Sequence, residues 1–157
     1  MAKHKFKERV RVIDLKPFPY EVKLVVTDSI IETERIIRKG FNDHCTKIVA
    51  NDNTSAMAMH HKNARSMYLI MPYSCDIGYI AHEVWHIVRA LMLNVGATFE
   101  NEVMAYYIGH LTREAARWNS EATDAHEEES TVIGLVVPAK KKVIKKKVDK
   151  LVVRMIE

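Results

Sequence analysis

Residues 77–95 form an apolar run interrupted by two histidines, and the rest of the chain has to fold around it. Its apolar residues recur at helical spacing. Stepping 100° per residue from Ile77 puts Ile77, Ile80, Ala81, Val84, Val88, Leu91 and Val95 on one side. Tyr79, His82, His86, Ala90 and Leu93 fall near the opposite side. A helix apolar on both sides is expected at the centre of a fold, with His82 and His86 inside the protein. Buried imidazoles need partners. Backbone carbonyls are one set of partners, and the spacing of the two histidines offers another.

His82-Glu83-Val84-Trp85-His86 is an H-E-x-x-H pattern. Residues four apart on a helix share a face, so both imidazoles can turn to one metal ion while Glu83 stands beside it as a general base for water. Asp76 is placed to cap the start of this helix, and Gly96 to end it in a left-handed turn. A second helix is expected from Thr98 to about Trp118, with Met104, Tyr107, Ile108, Leu111, Ala115 and Trp118 as its apolar stripe. Its other side carries Glu102, Ala105, Tyr106, Gly109, Arg113 and Ala116, and the small residues there would let a neighbouring helix approach closely. Glu102 has two readings. It is either a first-turn carboxylate placed by the helix dipole, or a third metal ligand that completes a His-His-Glu site with an open position for water.

H-E-x-x-H followed, after a turn, by Asn101-Glu102 on a second helix resembles the glutamate zincins, or gluzincins. The run from Asn101 to Leu111 is also similar to small phage-encoded metallopeptidase-like proteins and, less closely, to the minimal peptidases that cleave phage repressors. The resemblance covers residues 65–118. It implies a zinc ion held by His82, His86 and Glu102, with Glu83 as the base. It also implies an α+β fold: a minimal zincin-like domain in which a small, mostly antiparallel sheet packs on the H-E-x-x-H helix and a second helix carries the glutamate. In that family the sheet's edge strand pairs with an extended peptide substrate. The thermolysin-like pattern continues to an aspartate where this chain has Tyr106. The acceptor behind a ligand histidine must then be a backbone carbonyl, Tyr106 itself or a residue such as Asp76. Tyr106 and His110 are candidate catalytic donors to the oxyanion of a tetrahedral intermediate, or else polar residues of a helix-packing face.

Elsewhere the chain reads in order. Residues 1–20 look like a basic lead-in ending at Pro17-Phe18-Pro19, and Tyr20 to Val26 alternates as a strand does. Ser29-Ile30-Ile31-Glu32 has capping-box spacing and opens a helix that stops at Gly40. Lys47 to Ala50 is a short strand candidate, Asn51-Asp52-Asn53 a turn, and Ser55 to His60 with Ser66 to Met71 a hairpin that is the candidate edge. His60 and His61 point to opposite faces of a strand, so both are read as residues of an exposed turn. Two cysteines, Cys45 and Cys75, cannot build a disulfide framework and are read as free thiols.

A chain of 157 residues, 48% hydrophobic, suffices for one compact domain, here 21–118. Residues 119–139 read as an acidic linker followed by a short apolar segment, perceived as a strand, and 140–157 as a lysine-rich tail. Eight basic and two acidic residues give that tail +6 of a net +4, leaving −2 on everything before it. The tail is a candidate contact for a protein partner or nucleic acid, though it lacks the aromatic interleaving of a single-strand binder. Neither a secretory signal nor an apolar run of transmembrane length is present in the sequence, so the expected place is the cytoplasm, or a virion if the chain is phage-encoded. The expected function is zinc-dependent peptide hydrolysis. The alternative is a weakly active or inactive zincin-like binding module docked through its tail.

Overall fold

The computed structural model describes residues 7–41, 49–60, 65–97 and 101–154. The fold is α+β. A four-stranded mixed sheet is formed by β1 (Glu8–Asp14), β2 (Glu21–Thr27), β3 (Met57–His60) and β4 (Ser66–Pro72), in the order β1-β2-β4-β3. Three helices accompany it: α1 (Ile30–Gly40), α2 (Ile77–Val95) and α3 (Asn101–Arg154). The two outer pairings are antiparallel, whereas β2 and β4 at the centre run parallel. Two of the three pairings are antiparallel, as expected, but the central one is parallel, because β3 carries the chain back antiparallel to β2 before β4 pairs with β2.

The register explains the core. Val22 lies opposite Met67, Leu24 opposite Leu69 and Val26 opposite Met71. Side chains alternate along strands, so these six share one face, where they meet Ile80, Val84, Ile87, Val88 and Leu91 of α2. Tyr107, Leu111, Ala115 and Ala122 of α3 close the same cluster. The other face carries Ile70, Met57 and Met59, packed with Ile30 and Ile37 of α1. Ser29 caps α1 by accepting from the Glu32 amide at 3.3 Å, as the capping-box spacing predicts.

The lead-in contains a strand. Glu8–Asp14 pairs along its whole length with β2. Its alternating arginines suggest a solvated basic stretch, but long guanidinium side chains can cover apolar surface with their stems. Arg11 lies over the Trp118 ring at 4.4 Å and donates to Glu121 at 2.6 Å. Of the short strand expected at 47–50, residues 47 and 48 lie outside the described residues, and Val49 and Ala50 are not in a strand. Cys45, His61 and Thr98 also lie outside them.

Two further expectations change. The second face of α2 is only partly covered among the described residues: Tyr79 is 53% exposed, Leu93 60% and the His82 side chain 67%, whereas His86 is half-buried and Ala90 buried. One apolar stripe suffices to bury α2 against the sheet, and the middle of the other lies beside the edge strand β3. Similarly, Ala105, Tyr106, Gly109 and Arg113 of α3 are exposed rather than packed on a helix. The helix also continues past Trp118 through the stretch read as linker and strand. Glutamate and alanine are good helix formers, and Ser130 and Thr131 donate to carbonyls four residues back. The chain divides into two compact units, 1–122 and 123–157; the described part of the second is helical. No helix among the described residues is long and apolar enough to cross a membrane.

Leu111 is fully buried where α3 meets the sheet core. Leu111→Ala is expected to cost about 2–5 kcal/mol in a denaturant titration. A cost near zero would show that α3 does not complete this core. Removing the residues after Val137 should leave the melting temperature of the first unit unchanged, and a marked drop would place part of its core in the removed segment.

Candidate metal centre

Local rules fix where α2 begins and so where its histidines fall. The Asp76 carboxylate accepts from the Gly78 amide at 2.7 Å, and Gly96 ends the helix at φ 66°. Asn119, buried on α3, accepts from the Cys75 amide at 2.9 Å and donates to the Pro72 carbonyl at 2.8 Å. The turn between β4 and α2 is thereby tied to α3. Beyond it, the second and third turns of α2 run beside β3.

Three side chains converge there. His82, Glu83 and His86 each offer one ligand atom, and these atoms lie within 4.8 Å of one another. The two Nε2 atoms are 3.2 Å apart, with the rings edge to face. Zinc–nitrogen bonds of 2.0–2.1 Å at tetrahedral angles require a nitrogen–nitrogen edge of about 3.3–3.4 Å, so the pair has the spacing of two ligands on one ion. The same separation also suits one imidazole donating to the other, the arrangement expected of a metal-free pair. The donor set, two imidazoles and a carboxylate, fits zinc, and equally iron(II) or manganese in other geometries.

Glu83 is held from the sheet side. Its Oε2 accepts from the Ala58 amide of β3 at 2.8 Å, and its Oε1 lies 3.9 Å from His82 Nε2. Among the described residues β3 pairs with β4 alone, and the Ala58 amide is turned from the sheet edge toward Glu83. A hollow of about 190 Å³ lies between β3 and α2, lined by Ala50, Thr54, Ala56, Ala58 and His60 beside the three converging residues. A second, more open hollow of about 510 Å³ shares Ala56, His82 and Glu83 with the first and continues past Asn53, Ser55, Asp76 and Tyr79. Together they make a cleft with His82 and Glu83 at its middle.

The other sequence candidates lie elsewhere. Glu102 is exposed in the first turn of α3 and is not one of the three converging residues. Tyr106 is 69% exposed and stacks on His110 with ring centroids 6.2 Å apart; neither lines the two hollows. Asp76 serves as the helix cap. His60, read from the sequence as part of an exposed turn, instead ends β3, is half-buried and lines the smaller hollow. The signal for it was present in the alternation: Met57 and Met59 take one side of the strand, which leaves Ala58 and His60 the side facing α2.

No protein-family model, curated protein or solved structure matches the chain.

Cys75 sits beside the cleft, with its thiol 3.7 Å from the carbonyl oxygens of Ser55 and Asp76. Burial, reinforced by the negative charges of Asp76 and Glu83, pushes its pKa up to about 11. A raised thiol pKa keeps the unreactive protonated form at neutral pH. Alkylation at Cys75, followed by peptide mapping, should therefore be slow at pH 7.5 and accelerate as pH climbs toward 11. Rapid modification at pH 7.5 would mean that the thiol is neither buried nor surrounded by these carboxylates.

Proposed function

We propose that the chain is a zinc-dependent metallopeptidase. The observation that carries this reading is the pair of Nε2 atoms at ligand spacing with the Glu83 carboxylate turned toward them from an edge-strand amide. His82 and His86 hold the ion. Glu102, in the first turn of α3 and outside the converging set, is the third ligand that the resemblance to gluzincins supplies and would have to reach the ion from there. When bound, zinc supplies a Lewis acid that polarises a carbonyl and acidifies water.

The chain's own residues do the rest. The outward edge of β3 offers its backbone groups to an extended peptide, which adds as a further strand and lies along the cleft. Glu83 accepts the proton of the attacking water as its oxygen bonds to the scissile carbon. The same carboxylic acid then returns the proton to the departing amine as the carbon–nitrogen bond breaks. The half-buried position of Glu83 keeps bulk water from competing for that proton. Substrates paired through backbone atoms are recognised by shape and extension more than by side-chain sequence.

A second reading is a metal-binding module that does not hydrolyse. It is favoured by the exposure of Glu102, which leaves two histidines and Glu83 as the converging set. In that case the lysine-rich segment of 140–150 is the part that docks on a protein or nucleic acid.

Metal content and cleavage of a fluorogenic peptide library separate the readings. Glu83→Gln is expected to retain one zinc per chain and lose activity by about 10²–10⁴-fold or more. His86→Ala should lose the zinc, and Glu102→Ala should bind it more weakly. Full activity in Glu83→Gln would remove Glu83 as the base. Zinc held by the wild-type protein without any cleavage would favour the binding module, and unchanged zinc affinity in Glu102→Ala would remove Glu102 from the ligand set.

A further inference from the structure

Addition of water to a peptide carbonyl leaves a negative charge on its oxygen, and a hydrogen-bond donor fixed beside that oxygen lowers the barrier. The sequence offered Tyr106 and His110 for this task, but they stack on each other on the exposed face of α3 and line neither hollow of the cleft. We propose that His60 is the side-chain donor to this oxyanion, from its place in the lining of the hollow between β3 and α2. The proposal rests on the peptidase reading of the site.

Placement argues for it. His60 shares the 190 Å³ hollow with His82, Glu83 and His86. It lies two residues after Ala58, on the same side of the strand and about 6.6–6.8 Å along it. Ala58 is the residue whose amide holds Glu83. A peptide paired with β3 therefore brings its scissile carbonyl between the base and His60, within the reach of an imidazole. The neighbouring side chains leave few other donors. Alanines at 50, 56 and 58 have none, which leaves Thr54, whose Oγ1 accepts from the Asn51 amide in the turn before β3 and keeps its O–H to donate, as the one other side-chain donor of that lining outside the converging set. His82 and His86 are committed to the ion. A neutral imidazole suffices, since one N–H is all the oxyanion requires.

The alanine lining has a consequence for the substrate. Small side chains at 50, 56 and 58 leave room for the substrate's own side chain beside His60, so the donor can reach the carbonyl without a bulky wall between them.

The test uses the full-length, zinc-loaded protein as wild type, His60→Ala and His60→Gln. Three quantities are measured: zinc content, kcat and KM on a cleaved library peptide, and calorimetric affinity for an N-acetylated alanine tripeptide whose central amide is replaced by a phosphinate, a tetrahedral anion. His60→Ala should keep its zinc and its KM, lose kcat by about 10²–10³-fold, and bind the phosphinate at least 10-fold more weakly. His60→Gln, which restores an N–H donor, should recover part of both losses, an outcome that a purely structural role would not give. Wild-type phosphinate affinity and kcat in His60→Ala would overturn the proposal while leaving the peptidase reading intact. Loss of zinc in His60→Ala would overturn it by making His60 a ligand. Failure of the wild-type protein to bind zinc would overturn the peptidase reading itself, and this proposal with it.

Discussion

The parallel pairing of β2 with β4 is the constraint on which the rest depends. It sets Val22, Leu24 and Val26 against Met67, Leu69 and Met71 in one apolar surface, wide enough to receive a whole helix. A one-residue slip in that register would turn three of those side chains to the α1 side, where Glu34 and Thr33 are already buried. With the register fixed, α2 has a seat for one of its two apolar sides only. The side carrying His82 and His86 is left facing the sheet edge, and the cleft is the result.

Much of this was legible in the sequence because it rests on short-range rules. The cap at Asp76, the left-handed Gly96, the capping box at Ser29 and the hairpin of β3 and β4 all follow from residues within a few positions of one another. The H-E-x-x-H spacing gave the converging imidazoles for the same reason. What the sequence did not convey was set by distant partners. Arg9 and Arg11 look solvated until Trp118 and Glu121, more than a hundred residues later, are seen to receive Arg11. The partly open second face of α2 depends on how many layers a chain of this size can supply, and periodicity carries no information about that. Pattern also cannot distinguish a polar stretch that is a linker from one that continues a helix: residues 119–131 hold both glutamates and alanines that favour helix and the polarity expected of a linker.

His60 shows a different limit. Two adjacent histidines in a strand point to opposite faces and cannot simply chelate one ion, and His61 lies outside the described residues. That alternation says nothing about which of the two faces the interior. The answer lay in Met57 and Met59, whose common side packs under α1 and so assigns Ala58 and His60 to the α2 side. Reading a polar residue through the parity of its apolar neighbours is more informative than reading it through its own type.

The cleft's geometry is held by polar contacts at the start of α2 and at the cleft's middle, and they have different characters. At the start of α2, Asn119 bonds both to Pro72 at the end of β4 and to Cys75 just before the helix. These are part-buried bonds between a buried side chain and backbone, costly to leave unmade, and they tie the helix start to the end of β4. In the middle, the bond from the Ala58 amide to Glu83 joins the sheet edge to the carboxylate of the converging set. On the proposed reading, an extended peptide adding to β3 would compete for that same outward amide, one of the backbone groups an edge strand offers. Docking would then exchange one hydrogen bond for another, releasing the Glu83 oxygen that had been capped by the strand. On that reading, a rigid anchor at the helix start and an exchangeable bond at the middle would let the edge strand receive a peptide without disturbing the helix that presents the histidines.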